Sequence, residues 1–265
     1  MKLNILVLMA GGSEAFESAG YLYPKNLVEI GGQPLVERVL SNLSCIHCCP
    51  SRFLCVLRRS ESVKFHTASV IRLIAPEAIV VSVGEPTSGA ACTALLAIEH
   101  IDGPTPLLVT NGDQILDTDL DAILTDFLRR DLDGGIAVFR DVHPRWSFVK
   151  CDASGMVVEA TEKRPISHWA TAGFYYFKHG SDFVSAAESM ILKGASVNNL
   201  FYVCPAYNEM ILRQKRIGVY EISKSCYLSL ATPDGVERFE QLLAKQALTD
   251  RGAKTTVEST AIRQQ

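Results

Sequence analysis

The strongest constraint on the fold is the alternation of apolar strands and helices in the first half of the chain. Four short apolar runs, NILVLM, FLCVL, AIVVSV and PLLVT, are separated by helical patterns such as PLVERVLSNL, whose apolar residues fall on one face. Strands that alternate with helices pair in parallel, because each helix returns the chain to the same end of the sheet. The sequence therefore predicts an α/β fold with a mixed, mostly parallel central sheet and helices on both faces.

The second half of the chain has a different rhythm. The segments GGIAVF, SFVKCD, MVVEATEK and TAGFYYF read as strands, some of them antiparallel, joined by turn residues. Helices and two further strands follow, and a last helix begins at Thr232 and Pro233. We expect a single domain over residues 1–247, and a disordered tail at residues 248–265 because that segment has no apolar periodicity.

Charge and hydropathy exclude several classes of protein. The 26 Lys and Arg residues against 29 Asp and Glu residues leave a formal net charge of -3. A surface of that charge has no general attraction for nucleic acid or for an anionic membrane, so we expect neither as a partner. Each apolar run is too short to span a bilayer, and the N-terminal run has no small-residue cleavage site. We expect a cytoplasmic protein.

Two segments resemble metal-binding motifs only weakly. CIHCCP contains Cys45, His47, Cys48 and Cys49, but it lacks a second Cys and His pair at zinc-finger spacing, so free thiols are favoured. DTDLD mimics the metal motif of glycosyltransferases, but it falls directly before a helix. We therefore favour Asp119 as the N-cap of that helix.

The residues that follow the parallel strands predict a ligand site. In an open parallel sheet, ligands bind in the crevice at the carboxyl ends of the strands. Gly11 and Gly12 follow the first strand and allow an anion to approach the backbone, and Lys25 adds a point charge suited to phosphate. Thr87 and Gly89 follow the third strand and open a helix, while Asp113 follows the fourth, in the same crevice.

An acidic group beside two anion-binding loops indicates a cation between them. Mg²⁺ prefers carboxylate, water and phosphate oxygens, so we predict a Mg²⁺ ion bound by Asp113. A later segment, EATEKRP, adds Glu162 and Lys163, for which two interpretations stay open. Lys163 neutralises a second phosphate while Glu162 accepts hydrogen bonds from sugar hydroxyls, or the two residues form an exposed ion pair at a strand end.

Taken together, these motifs resemble those of the sugar nucleotidyltransferases, also called nucleotide-sugar pyrophosphorylases. The resemblance covers nearly the whole chain, through MAGG, YPKNLVEIGGQPLVERV, GAACTALLA, NGDQ, EKRP, AGFYYF and LATPDGVERF. Segments such as WSFVK and YNEMI are most similar to a bacterial branch tied to capsule and surface polysaccharides, which includes cytidylyltransferases.

The resemblance implies a Rossmann-like nucleotide-diphospho-sugar transferase fold, with a nucleotide-binding half at 1–140 and an acceptor-binding half at 141–247. It implies transfer of a nucleoside monophosphate from a pyrimidine triphosphate, with CTP favoured over UTP or dTTP, to a sugar 1-phosphate or similar acceptor. A homo-oligomer is also possible. The implied site residues comprise a catalytic group, a nucleotide-binding group and an acceptor-binding group. The catalytic group is Lys25, Asp113 and Lys163. The nucleotide-binding group is Leu8, Ala10, Gly11, Gly12, Thr87, Gly89 and Asn111. The acceptor-binding group is Glu162, Lys163, Gly173 and Asn208.

The chain departs from the family pattern at two places. The glycine-rich loop of the family ends in an arginine that binds the triphosphate, and that position here falls on Ala15, between Glu14 and Phe16. Some relatives carry a second metal-binding aspartate where this chain has Ser229, and Asn208 is a candidate to supply an oxygen instead.

The missing arginine leaves two interpretations. Another cation supplies the charge, and the candidates are Lys25, Lys163, Arg58 and Arg145. Alternatively, the protein keeps the pocket without the chemistry and acts as a nucleotide-binding regulator or partner. We favour the first, because Lys25, Asp113, Glu162 and Lys163 all remain. A glycosyltransferase is a third and less favoured reading.

Overall fold

The structure is a computed structural model, and residues 2–246 are the part of the chain that it describes. The predicted tail at 248–265 lies outside the described residues. The strands, in chain order, are β1 Leu3–Leu8, β2 Glu29–Ile30, β3 Gln33–Pro34, β4 Ser51–Arg58, β5 Ile79–Val83, β6 Leu107–Asn111, β7 Gln114–Leu116, β8 Gly134–Arg140, β9 Ser147–Cys151, β10 Val157–Glu162, β11 Trp169–Phe177, β12 Ile217–Glu221 and β13 Tyr227–Ser229.

The helices lie between these strands and after the last of them. In chain order they are α1 Glu14–Ser18, α2 Leu35–Leu43, α3 Arg59–Phe65, α4 Thr67–Ile74, α5 Ala90–Leu95, α6 Ile98–Ile101, α7 Leu120–Arg129, α8 Gly180–Leu192, α9 Tyr207–Leu212 and α10 at 233–246. Single 3₁₀ turns cover Lys25–Leu27, Cys204–Ala206 and Lys224–Cys226.

One central sheet joins both halves of the described chain. Its main path runs in the order β10-β9-β11-β6-β1-β4-β5, with β8 paired to β11 and β12 paired to β8. The pairs among β1, β4, β5 and β6 are parallel, and β11 is antiparallel to β6, β8 and β9. The prediction of a mixed, mostly parallel sheet is confirmed, and β12 of the second half also pairs with β8 in parallel.

The apolar residues of β1 explain why the sheet is covered on both faces. Ile5 and Val7 point into one hydrophobic cluster and Leu6 into the other, so the strand is buried on both sides. Helices α2 and α7 pack on the first face, and α5, α8 and α9 pack on the second. Continuous apolar runs are typical of strands buried in this way.

Two local predictions have different outcomes. Asp119 caps α7, because its Oδ1 accepts a hydrogen bond of 2.9 Å from the backbone N–H of Ala122, as predicted. The single helix predicted over SGAACTALLAIEHI is wrong, since the structure divides it into α5 and α6. Helix α5 begins only at Ala90, because Gly89 before it has a φ of +115°, which is not helical.

Candidate active site

The glycine loop after β1 and the segment of Lys25 lie against each other. A Cβ added at Gly11 would be 3.1 Å from the Nζ of Lys25, so the missing side chain leaves room for the ammonium group. The backbone N–H of Lys25 donates to Ser13 Oγ at 3.0 Å. These contacts hold the lysine beside the loop that a phosphate chain would approach.

Lys25 is buried and forms an ion pair with Asp113. Its Nζ donates to Asp113 Oδ2 at 2.6 Å, and only 6 % of Lys25 is exposed. Asp113 follows β6, and its carbonyl accepts from the N–H of Leu230 at 2.8 Å, after β13. The segments that follow the first and fourth predicted strands, which are β1 and β6, therefore meet in the structure as predicted.

The surroundings of Asp113 fit a Mg²⁺ ion that has one protein ligand. The carboxylate lines a chamber, its side chain is 24 % exposed, and Oδ2 is the oxygen that pairs with Lys25. Within residues 2–246, no cluster of three or more Cys, His, Asp or Glu side chains could hold a metal. Mg²⁺ often takes only one carboxylate and completes its shell with water and phosphate oxygens, so Asp113 alone is a suitable donor set.

The predicted nucleotide-binding residues line one chamber of about 410 Å³. It lies at the carboxyl ends of β1, β4, β5 and β6, where ligands of open parallel sheets bind. Its lining includes Leu8, Ala10, Gly11, Gly12, Thr87, Gly89 and Asn111 together with Asp113. It also includes Pro86, Thr93 and Leu200, which have no predicted nucleotide contact, and Arg58, which is a candidate for the missing cation and ends β4 at this rim.

Hydroxyl groups and close backbone contacts fix the loop before α5. Thr87 Oγ1 lies 2.5 Å from Thr93 Oγ1 and 3.1 Å from the carbonyl oxygen of Gly89. A Cβ at Gly89 would lie 2.4 Å from the carbonyl oxygen of Phe201, so no other residue fits without movement. The requirement for glycine here is both steric and conformational, since a φ of +115° disfavours other residues.

A second chamber of about 290 Å³ adjoins the first and shares Ala90 and Asn111 with it. Its lining contains the predicted acceptor residues Glu162 and Gly173. Arg145, Trp146, Tyr202 and Tyr227 are further lining residues. WSFVK contributes to the family resemblance, but nothing in its spacing shows that Trp146 would face a pocket.

Glu162 is a buried carboxylate at the wall of this second chamber. Its Oε2 accepts a very short hydrogen bond from Ser147 Oγ. Burial raises the pKa of the Glu162 carboxyl, while the Ser147 hydrogen bond and the charge of Lys163 oppose that rise. Such a carboxylate is a strong acceptor for hydroxyl groups of a ligand, since hydrogen bonds to charged groups are stronger than neutral ones.

Gly173 occupies a bulge in β11 and has a φ of +64°. A Cβ there would lie 2.5 Å from Gln114 Oε1 and 2.6 Å from Asn111 Nδ2. Gln114 donates to the carbonyl oxygens of Ala172 and Gly173, and Asn111 donates to Gln114 at 3.0 Å. The bulge in β11 is therefore hydrogen-bonded, through Gln114, to Asn111, which lines both chambers.

Lys163 is exposed at the edge of the second chamber. Its Nζ donates to Tyr202 Oη at 3.0 Å and lies 5.2 Å from the centre of that ring. The hydrogen bond to Tyr202 raises the pKa of Lys163. The structure thus connects Lys163 to the chamber through Tyr202, and Lys163 does not line the chamber itself.

Asn208 is not brought to either chamber, which corrects its predicted acceptor and metal contacts. Its Oδ1 accepts from the N–H of Ala160 at 2.9 Å, and its Nδ2 donates to the carbonyl of Ala160 at 2.7 Å. Both ends of the amide are used by the backbone of β10, so its role is structural. Ser229 pairs with Gln114 in β13, next to Asp113, and brings no carboxylate to this position.

The chain belongs to the Nucleotidyl transferase family, which matches residues 6–209. The "Bifunctional protein GlmU" of Methanococcus aeolicus is 26 % identical over 183 residues, which cover 67 % of this chain and 40 % of that protein. This chain thus spans about two fifths of the length of that relative.

Solved structures of nucleotidyltransferases share the fold. The nucleoside-diphosphate-sugar pyrophosphorylase of Vibrio cholerae has a TM-score of 0.79 at 24 % identity, covering 89 % of this chain and 99 % of its own. A UDP-glucose pyrophosphorylase complexed with UDP-glucose scores 0.73 at 17 % identity, covering 93 % and 100 %. The inositol-1-phosphate CTP transferase of T. maritima scores 0.70 at 15 % identity, covering 91 % and 95 %. Within residues 2–246, none of the helices combines the length and the apolar character that a bilayer-spanning segment needs.

Proposed function

We propose that this protein transfers a nucleoside monophosphate from a pyrimidine nucleoside triphosphate to a sugar 1-phosphate or similar phosphorylated acceptor, releasing pyrophosphate. One observation carries the proposal. Two chambers meet at Asn111 beside the Lys25–Asp113 pair. We call the one lined by the glycine loop the nucleotide chamber, and the one lined by Glu162 and Gly173 the acceptor chamber. A reaction between two bound phosphates needs such a meeting point.

The chemistry is a displacement at the α-phosphorus of the triphosphate. An oxygen of the acceptor phosphate forms a bond to that phosphorus, and the bond to the α–β bridging oxygen breaks. Its electron pair leaves with pyrophosphate, so the atoms and charges balance. Phosphoryl and nucleotidyl transfers of this kind depend mainly on positioning and on neutralising the charge of the phosphates.

Different residues would bind the triphosphate, neutralise charge and bind the acceptor. The glycine loop would offer backbone donors to the triphosphate, and Thr87 and Gly89, which line the same chamber, would contact the base. Lys25 holds the carboxylate of Asp113 in place and contributes positive charge beside the loop. Glu162 accepts hydrogen bonds from acceptor hydroxyls, while Arg145 and the Lys163–Tyr202 pair flank the acceptor chamber.

Asp113 would hold the Mg²⁺ ion, which when bound would offset negative charge on the phosphates. The proposal of a pyrimidine base, with CTP favoured over UTP and dTTP, rests on resemblance to the capsule branch. It agrees with the pyrimidine nucleotides named for the UDP-glucose and CTP structural neighbours. On the same grounds, we propose a role in the cytoplasmic synthesis of surface-polysaccharide precursors.

The experiment is to incubate the protein with Mg²⁺, each nucleoside triphosphate and a panel of sugar phosphates, and to measure pyrophosphate. The proposal expects release that requires both substrates and is lost in Asp113→Ala. No release with any pair, despite tight nucleotide binding, would instead support the rival function of a non-catalytic nucleotide-binding protein. The substitution of Ala15 for the loop arginine is the observation that favours this rival.

A further inference from the structure

The structure separates the four cations that are candidates to replace the missing loop arginine. Lys25 is already paired with Asp113 at 2.6 Å and does not line the nucleotide chamber. Lys163 donates to Tyr202 at the acceptor chamber. Arg145 lies over the ring of Trp146, with 4.2 Å between the guanidinium carbon and the ring centre, and lines the acceptor chamber. Lys25 Nζ lies close to Gly11, but its charge is paired with Asp113, and neither Lys163 nor Arg145 lines the chamber that Gly11 and Gly12 help to form.

Arg58 is the basic residue that lines the nucleotide chamber within the described part of the chain. It also lines a smaller adjoining cavity of about 290 Å³ formed by Ser60, Glu85 and Thr87, so its side chain lies between the two spaces. Its Nε donates to the carbonyl oxygen of Ala10 at 3.0 Å, directly before the paired glycines. That bond orients the guanidinium group at the loop and leaves its Nη atoms for a ligand.

Glu14 marks where the triphosphate would lie. A Cβ added at Gly12 would lie 1.8 Å from Glu14 Oε2, so the carboxylate covers this glycine. Glu14 Oε1 is also 3.8 Å from Arg58 Nη1. An anionic group therefore sits over the glycine loop and faces the guanidinium group, although the Glu14 side chain is 76 % exposed and free to move away.

The sequence explains why the loop itself cannot provide the cation. Phe16 is fully buried and packs edge-on against Tyr21, with 5.3 Å between the ring centres, which anchors the short helix α1. Ala15 is exposed beside it and Glu14 turns back over Gly12. The loop itself thus carries no positive charge, and Arg58 at the end of β4 brings a guanidinium group beside it, whereas Lys25 is already paired with Asp113.

We propose that Arg58 binds the β- and γ-phosphates of the nucleoside triphosphate in place of the loop arginine, and that Glu14 is a counter-ion displaced on binding. The identity of the ligand rests on the function proposed above. A guanidinium group suits this task because its planar donors match phosphate oxygens in pairs. Glu14, by contrast, repels phosphate and competes with it for Arg58.

The test is calorimetric binding of CTP and CMP, with Mg²⁺ present, to the full chain and its variants. Arg58→Ala should weaken CTP binding roughly ten- to hundredfold, the range for losing one hydrogen bond to a charged group, while CMP binding changes little. Arg59→Ala is the matched control, because Arg59 is the next residue, is exposed and lines neither cavity. It should bind CTP like the wild type.

Two further variants keep the test decisive if Arg58→Ala unfolds. Glu14→Gln should strengthen CTP binding a few-fold and no more, since it removes a negative charge from the phosphate position that solvent already screens. Adding Ala15→Arg to Arg58→Gln should restore most of the lost CTP affinity, because it returns a guanidinium group to the loop. Restoration also shows that the site, and not only the fold, was affected.

The outcomes distinguish this inference from the proposed function. CTP binding unchanged in Arg58→Ala or Arg58→Gln, or an equal loss for CMP and CTP, overturns the role of Arg58. Weaker CTP binding in Glu14→Gln overturns the role of Glu14. Wild-type protein that binds CTP but releases no pyrophosphate overturns the proposed function alone, because the binding series does not depend on turnover. Wild-type protein that binds no triphosphate overturns both.

Discussion

Lys25 and Asp113 lie 88 residues apart in the chain, yet Lys25 Nζ donates to Asp113 Oδ2 at 2.6 Å. The pair joins the loop after β1 to the end of β6, which are neighbouring parallel strands. Parallel strands end at the same edge, which brings the glycine loop close to Asp113, and the contacts of Lys25 with Gly11 and Ser13 place its side chain beside the carboxylate. The pair is therefore both a link between strands and the charged centre of the candidate site.

The first prediction concerns the coupling of this pair. Asp113→Asn and Lys25→Met should each lower the rate of pyrophosphate release by roughly 10²–10³, as removal of one electrostatic stabiliser does. The double variant should be little worse than the worse single variant, because residues that act as a unit are not additive. Steady-state rates at saturating substrate check this, with thermal melts to confirm folding. Fully multiplicative losses would show that the two residues act independently.

The second prediction concerns Glu162 and pH. Because burial raises the pKa of Glu162 above its ordinary value of 4.5, ionisation at neutral pH destabilises the folded state. The contribution of this group to stability is therefore greatest at acidic pH and is lost as the pH rises through the raised pKa.

Glu162→Gln, which is neutral throughout, should melt at a higher temperature than the wild type at pH 7.5, and the difference should shrink as the pH falls. The same variant should raise the KM for the acceptor about tenfold or more, since a charged acceptor of hydrogen bonds is lost. Thermal melts across pH and acceptor titrations measure the two effects. A variant that melts lower at every pH would contradict this account of Glu162.

The third prediction separates two costs at Gly173. Gly194, which follows α8, has the same φ of +64° but nothing within 4 Å of an added Cβ. Gly194→Ala should cost about 1–2 kcal/mol of unfolding free energy, the penalty for a left-handed backbone. Gly173→Ala should cost a further 1–3 kcal/mol or so from overpacking against Gln114 and Asn111, and should weaken acceptor binding. Denaturant unfolding of both variants measures the difference, and equal values would show that the contacts relax freely.

The fourth prediction tests the structural role of Asn208. Asn42 makes the same paired hydrogen bonds, in this case to the backbone N–H and carbonyl of Leu116. Asn208→Ala and Asn42→Ala should each lower the unfolding free energy by about 1–3 kcal/mol, because backbone groups lose their partners. Neither should change the KM for the acceptor at a temperature where both are folded. A selective rise in the acceptor KM for Asn208→Ala would restore Asn208 to the site.

Much of the fold follows from local sequence patterns. The inner strands β1, β4 and β6 of the parallel part are buried on both faces and appear as apolar runs, and α7 has a clear apolar stripe with a capping aspartate. The start of α5 at Ala90 does not follow from such patterns. It depends on the contact of Gly89 with the backbone of Phe201, which is a tertiary contact that no local propensity records.

The site shows the same division. The rule that ligands bind at strand ends was enough to select residues that line one chamber, from Gly11 to Asp113. It could not select Trp146 or Tyr202, because their approach to the second chamber depends on how β9 and the 3₁₀ turn at Cys204–Ala206 pack. Asn208 was misassigned because its partner, Ala160, is 48 residues away and invisible to sequence spacing.

The most direct test of the central claim follows the oxygen atoms of the acceptor phosphate. A sugar 1-phosphate whose phosphate carries ¹⁸O is incubated with CTP, Mg²⁺ and the protein, and the products are read by ³¹P NMR and mass spectrometry. We predict a nucleoside diphosphate sugar that retains every labelled oxygen, formed together with an equal amount of unlabelled pyrophosphate. Label in the pyrophosphate, or no such product with any triphosphate and sugar phosphate tried, would contradict the account.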